Sequence, residues 1–336
     1  MRQMRQIFCA AVMALMCVLP TMAKGGEGLK FNKKNKFKIV QFTDVHWVYG
    51  NPASDEAGQC MAEVLDAEKP DLVVFTGDVI FAKPAREGLD KALEATIKRK
   101  IPFIVTWGNH DDEQDMNRKE LTEYVQTKAG NLNTTAEGVS GVCNFVLPVK
   151  SADGTKDAAL LYMFDSNSYS TVKEIRGYGW IKNDQIDWYN RTSKQYTEAN
   201  EGKPLPALAF FHIPLPEYHD AVANENAFFV GTRKERACAP QINSGMGNAM
   251  KKAGDVMGVF VGHDHVNDYV TEWQGIMLGY GRYTGGETVY NGLPYGNGAR
   301  VIEITEGSRS IKTWIRVKGG KVLNEVDYPA DKQNHG

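Results

Sequence analysis

Leu72-Val73-Val74-Phe75-Thr76-Gly77-Asp78 is the stretch that decides the fold of this chain. Its apolar run is too short for an ordinary helix and rich in β-branched and aromatic residues. Such a run fits a strand buried on both faces, as in parallel sheets covered by helices. The pattern repeats on either side. Phe37-Lys38-Ile39-Val40-Gln41-Phe42-Thr43 reads as a strand ending in Asp44, and Ile101-Pro102-Phe103-Ile104-Val105-Thr106 as another. Between them, Ser54 to Glu68 and Arg86 to Arg99 carry apolar residues at helical spacing, and Pro70 stops the first. This β-α-β-α-β order predicts parallel strands joined by right-handed crossovers.

The second half reads differently. Asn144–Val149 and Ala158–Phe164 are strand-like around an Asp153-Gly154 turn, Trp180 to Tyr196 is helical, and Leu208–Phe211 and Val256–Val261 are apolar strands. Beyond residue 268, Asp268–Trp273, Ile276–Tyr280, Ala299–Ile304 and Ile311–Val317 follow with no helix between them, which predicts an antiparallel sheet or edge. No Pro/Gly/Ser-rich linker divides the chain. We therefore expect one two-sheet domain over 37–325, after a polar lead at 24–36 and before a flexible tail at 326–336.

Residues 1–23 have the layout of a secretory signal peptide: Arg2 and Arg5, an apolar run from Ile7 to Leu19, then Pro20-Thr21-Met22-Ala23. The run is short for a membrane span, which needs about 20 apolar residues. An uncleaved anchor is the alternative, and the Ala14-Leu15-Met16 preceding Cys17 is a poor lipoprotein site. Export to the periplasm or medium is thus expected, with no stable membrane span after cleavage. Of 336 residues, 39 are Lys or Arg and 41 Asp or Glu; losing Arg2 and Arg5 takes the formal charge from −2 to −4. That balance does not resemble a basic nucleic-acid binder. Cleavage leaves Cys60, Cys143 and Cys238, without metal-ligand spacing, and three buried thiols are expected rather than a disulfide.

Each short strand is followed by acids, amides and imidazoles: Asp44-Val45-His46, Gly77-Asp78, Gly108-Asn109-His110-Asp111, His212, and Gly262-His263-Asp264-His265. Sites in parallel α/β sheets form beyond the carboxyl ends of strands, and five of the seven His fall there. Asp44, His46, Asp78, Asn109, His212, His263 and His265 offer more donors than one tetrahedral ion needs. Imidazole and carboxylate without thiolate suit Zn, Fe or Mn rather than Ca. Two cations about 3.5–4 Å apart form a clamp for phosphate-ester hydrolysis.

These ordered blocks resemble the calcineurin-like metallophosphoesterase superfamily. Gly141-Val142-Cys143-Asn144-Phe145-Val146-Leu147-Pro148, Tyr178-Gly179-Trp180-Ile181-Lys182, Gly281-Arg282 and Gly298-Ala299-Arg300 resemble its purple-acid-phosphatase-related bacterial and fungal branch. The resemblance implies an α/β fold, a four-layer α/β/β/α sandwich with two central mixed sheets. It implies two divalent or trivalent metal ions (Fe, Mn or Zn), the first held by Asp44, His46 and His265, the second by Asn109, His212 and His263, with Asp78 bridging. His110 would stabilise the phosphoryl group or protonate the leaving oxygen, and Asp111 would orient His110. The chain departs from true purple enzymes at Phe81, where they carry a tyrosinate ligand, and at His46, where they usually carry Gly.

The implied reaction is hydrolysis of a small phosphomonoester, of acid-phosphatase type, by a metal-bridging hydroxide. A phosphodiesterase or nucleotidase on the same core is the nearest alternative, and a non-catalytic metal-stabilised binding protein the alternative of another class. Asp264, Arg282, Arg300 and His219 are further candidates for substrate contact, Asp165-Ser166-Asn167 for support. Tyr178, Trp180 and Trp188 read as packing. Specificity is expected in the loops Asp112–Ser140 and Pro214–Gly247.

Overall fold

The structure, a computed structural model, describes residues 28–223 and 226–329. The expected signal peptide, the first residues of the polar lead and the end of the tail lie outside the described residues. The chain runs β1 (Lys36–Phe42), α1 (Asp55–Glu68), β2 (Leu72–Thr76), α2 (Ala85–Lys98), β3 (Phe103–Thr106), α3 (Arg118–Gln126), β4 (Phe145–Lys150) and β5 (Asp157–Met163). It continues through α4 (Asn183–Ala199), β6 (Ala207–Phe210), α5 (Glu217–Ala223), β7 (Phe229–Val230), α6 (Met246–Ala253) and β8 (Val256–Val261). It ends with β9 (Val270–Trp273), β10 (Ile276–Tyr280), β11 (Gly298–Thr305), β12 (Ile311–Val317) and β13 (Val322–Tyr328).

Two mixed sheets form a four-layer sandwich. The first has strand order β13-β12-β11-β1-β2-β3, the second β4-β5-β6-β8-β10-β9-β7. β1, β2 and β3 run parallel, as do β5, β6, β8 and β10 in the other sheet. Strand parity explains the layering. In β5, Leu161 and Met163 face the core shared by the sheets, while Leu160 and Tyr162 face the core beneath α4 and α6. β6 divides likewise, with Leu208 and Phe210 on one side and Ala207 and Ala209 on the other. α1 covers the first sheet through Ala57, Cys60, Met61, Val64 and Leu65, and Lys69 ends it in a left-handed cap at φ 47°.

The late strands correct the expected single antiparallel unit. β9 and β10 join the second sheet, whereas β11 crosses back to pair antiparallel with β1, and β12 and β13 follow it outward. β13 reaches Tyr328, past the expected domain end at 325. Its last residue is buried, and its hydroxyl donates to Glu272 at 2.9 Å. The lead is also anchored: Phe31 is buried, and its N–H donates to the Lys150 carbonyl at 2.9 Å. Pro148 lies in β4, at a sheet edge where a missing N–H is tolerated. Cys60 and Cys143 are buried thiols, but Cys238 is exposed, contrary to expectation. Among the described residues no helix is long and apolar enough to cross a membrane.

Arg300 ties β11 of the first sheet to the end of β10 in the second, Arg282 ties the segment before β9 to the loop before β11, and both guanidiniums are committed inside the protein. Both are essentially fully buried. Arg282 donates to Asp268 at 2.5 Å and to the Gly296 carbonyl at 2.9 Å. Arg300 donates to the carbonyls of Tyr280 and Asp268, each at 2.6 Å, and to Thr313 Oγ1 at 3.0 Å. Removing one member of a buried pair strands the other's charge. Arg282→Ala is therefore expected to lower unfolding stability by about 3 kcal/mol in denaturant titrations; a loss within the usual surface range would contradict this role.

Candidate metal centre

The centre lies at the carboxyl ends of β1, β2, β3, β6 and β8, where the loops from both sheets meet. Glycine permits the approach. A Cβ on Gly108 would strike the Asp78 carboxylate, and one on Gly262 would strike Thr43 Oγ1. Four donor-bearing residues adopt left-handed backbone: Asp44 at φ 51°, His46 at 45°, Asp78 at 51° and His263 at 79°. Such conformations cost about 1–3 kcal/mol each and persist only where surroundings impose them. Here hydrogen bonds impose them. Asp44 N–H donates to the Gly77 carbonyl at 3.1 Å, His46 N–H to the Asp78 carbonyl at 2.9 Å, and His263 N–H to the Asp44 carboxylate at 3.1 Å.

The side chains fall into two groups of converging donors. Asp44, His46, Asp78 and His265 form one, Asp78, His212 and His263 the other, with donor atoms within 4.8 Å of one another in each. Asp78 belongs to both. Its Oδ2 lies 3.5 Å from His46 Nε2 and 3.1 Å from His212 Nε2, and His265 Nε2 lies 3.3 Å from Asp44 Oδ1. His212 Nδ1 is committed to the Thr76 carbonyl at 2.7 Å, which turns Nε2 into the cluster.

The residues fit cations. Buried polar atoms normally have partners, yet His46 Nε2, Asn109 Oδ1 and His263 Nε2 have no hydrogen-bond partner among the described residues. His263 Nδ1 faces His212 Nε2 at 3.3 Å, two nitrogens that cannot both present lone pairs without a shared proton or cation. Electrostatics agrees at Asp78 and His263, whereas a cation would have to displace a proton from His212. Burial disfavours the Asp78 anion, but the neighbouring His212 and His46 hold its carboxyl well below the ordinary range. Burial and the charge of His212 push His263 down to about 3, leaving it the neutral imidazole that metals require. Burial opposes charge on His212, yet Asp78 and Asp44 raise it to about 9.

Asp111 has a different partner from the one expected. Its carboxylate does not meet the His110 ring. It accepts backbone N–H groups from Asp78 at 2.9 Å, Val79 at 2.7 Å, Ile80 at 3.1 Å and Gly108 at 2.7 Å. It clamps the loops after β2 and β3 together. Burial, aided by the charge of Asp78, pushes it up to about 6. The residue facing His110 is Glu113, whose Oε2 lies 2.6 Å from Nδ1. His110 itself sits beside the donor cluster, its ring 5.4 Å from that of His46 and 5.0 Å from that of Phe81.

Other support is equally non-local. Arg118 donates to the carbonyls of Gly108 at 2.6 Å and Trp107 at 3.0 Å, and pairs with Asp165 at 2.6 Å. Ser166 Oγ accepts the Ile213 N–H at 3.0 Å, next to His212. Asp264 turns away from the cluster and accepts from Tyr280 Oη at 2.6 Å. His219 sits outside both donor groups, its Nδ1 3.5 Å from Arg236 Nε.

Aromatic residues surround the donors. Tyr178 presents its ring edge-on to His263 at 4.3 Å and stacks on Tyr169 at 5.8 Å, so it borders the centre instead of packing helix α4. Tyr290 stacks on His265 at 4.1 Å. Tyr169 and Tyr290 are invisible to spacing arguments. Only Glu113, three residues past His110, carried a local signal.

The model of the calcineurin-like phosphoesterase family matches residues 37–267. The chain is 34% identical to "Probable inactive purple acid phosphatase 29" of Arabidopsis thaliana, over 94% of this chain and 89% of that protein. It is 36% identical to "Phosphatase DCR2" of Saccharomyces cerevisiae, over 88% of this chain but 56% of that protein. Among solved structures, a dimetal phosphatase from Danio rerio shares the fold with a TM-score of 0.60 at 12% identity, covering 87% of this chain and 98% of that one.

Proposed function

The chain belongs to the calcineurin-like phosphoesterase family, and on that premise we propose that it hydrolyses small phosphomonoesters at a dinuclear metal centre outside the cytoplasm. The observation that carries this reading is the pair of donor groups sharing Asp78, with His110 beside them. Asp44, His46 and His265 would hold one ion, and Asn109, His212 and His263 the other, with Asp78 common to both. Two such ions supply Lewis acidity toward phosphoryl oxygens and make water acidic enough to act as a nucleophile near neutral pH. Donors without thiolate suit Fe, Mn or Zn.

The chain's own residues do the rest. Glu113 accepts from the Nδ1 side of His110, and in the protonated ring Nε2 is then the nitrogen free to donate to the leaving oxygen. Asp111 and Arg118 keep the loop carrying Asn109 and His110 in place. Phe81, 40% exposed and packed against the rings of His46 and His110, would border an ester group leaving on the His110 side. It lacks a donor atom, so no tyrosinate charge transfer is expected. The N-terminal segment supports export, which fractionation of cells expressing the full chain would test.

Phosphate release from aryl monoesters and diesters by the metal-loaded protein tests the reading; much faster diester turnover would replace it with a phosphodiesterase. The name of the Arabidopsis relative, which calls that protein inactive, favours a second reading, a non-catalytic metal-stabilised binding protein. Metal-loaded protein that releases no phosphate from any ester would establish it. His110→Asn is expected to lower kcat by about 10²-fold with both metals retained, the ordinary scale of a general acid. Unchanged turnover would remove His110 from the mechanism.

A further inference from the structure

Tyr169 is exposed in the segment between β5 and α4, and its hydroxyl touches Asn109. Ser170 N–H donates to the Gly177 carbonyl and Gly179 N–H to the Ser168 carbonyl, each at 2.8 Å, which sets Tyr169 opposite Tyr178. Its hydroxyl donates to Glu113 Oε1 at 2.9 Å and accepts from Asn109 Nδ2 at 3.1 Å. The other Glu113 oxygen takes His110 Nδ1 at 2.6 Å. Asn109 and His110 are neighbours in sequence, and the chain of contacts closes a loop around them.

We propose that Glu113 and Tyr169 form a positioning relay that fixes, through one directional chain of hydrogen bonds, both the amide orientation of Asn109 and the ring orientation of His110. The direction follows from donor arithmetic. An ionised carboxylate only accepts, so Tyr169 must give Glu113 its single proton. The hydroxyl oxygen is then an acceptor toward Asn109, and only the amide nitrogen can serve it. Oδ1 is thereby the atom left for a cation, and it is buried without a hydrogen-bond partner among the described residues. On the other branch, Glu113 takes the Nδ1–H of His110. Tyr169 and Glu113 are positioning residues, acting on the reaction only through Asn109 and His110. The inference rests on the proposed function for the role of His110, but not for the orientation of Asn109.

The test uses the full chain with Mn²⁺ as probe. Tyr169→Phe keeps the ring on Tyr178 and removes only the hydroxyl. It is expected to weaken binding of the second Mn²⁺ by ~10-fold in calorimetric titration, the lower end for loss of a residue supporting a metal ligand, with an unchanged thermal midpoint. Glu113→Gln introduces a donor where both partners already donate. It is expected to lower kcat on an alkyl phosphate at least ~10-fold more than on p-nitrophenyl phosphate, since a basic leaving group depends most on protonation. Wild-type Mn²⁺ affinity in Tyr169→Phe, or equal losses on both esters in Glu113→Gln, would overturn the relay. Were the wild type to bind two Mn²⁺ and release no phosphate, the proposed function would fall, while the Mn²⁺ titration of Tyr169→Phe would still decide the Asn109 branch.

Discussion

Asp78→Ala is expected to reduce phosphate release by ~10³-fold or more and to leave the protein with at most one bound metal. The size follows from the position of the carboxylate. Oδ2 faces both His46 and His212, and Oδ1 accepts the backbone N–H of His110 at 2.9 Å. One substitution therefore removes the donor common to both groups and loosens the loop that carries His110. Losing a single preorganised stabilising contact typically costs about 10²–10³ in kcat; here both halves of the site lose one. Elemental analysis of the purified variant would give the metal stoichiometry, and phosphate release the rate. Hydrolysis within tenfold of wild type would show that the shared carboxylate is not the organising group.

Asp111→Ala is expected to be the most destabilising of the substitutions considered. The Asp111 side chain is fully buried and accepts four backbone N–H groups from two loops. Each buried donor left without a partner costs about 1–3 kcal/mol. The sum is about 4 kcal/mol at the low end, or roughly 10 °C in thermal midpoint for a domain of this size. Asp111→Asn should also destabilise, because its amide nitrogen would face an N–H where an oxygen accepted one. A thermal midpoint within about 2 °C of wild type for Asp111→Ala would mean that Asp111 is not a clamp. Orientation of His110 alone, as the resemblance implied, would alter turnover and leave stability nearly untouched.

Much of the site was legible because its parts are local. A short apolar strand must end where the chain leaves the sheet, and parallel strands place their carboxyl ends on one side. Asp44, Asp78, Asn109, His212 and His263 stand at such ends, which is why the scarcity of His pointed to a centre. Surface and core roles of longer side chains were not legible. Arg282 follows β10, and Arg300 lies in β11, near residues that resemble a phosphate-binding family, yet both guanidiniums serve Asp268 and backbone carbonyls inside the protein. Nothing in the composition of a strand says whether an arginine turns inward.

The sequence by itself determined the alternation of strands and helices, the two-sheet α/β class, and the order of donors along the chain, because these depend on neighbours a few residues apart. Only the tertiary structure decided that β11, β12 and β13 return to the first sheet, that Asp111 clamps two loops, and that Glu113 and Tyr169 meet around Asn109 and His110. Glu113 and Tyr169 are 56 residues apart. Their pairing, like the choice of sheet for β11, is set by which surfaces pack together, and no local spacing encodes that.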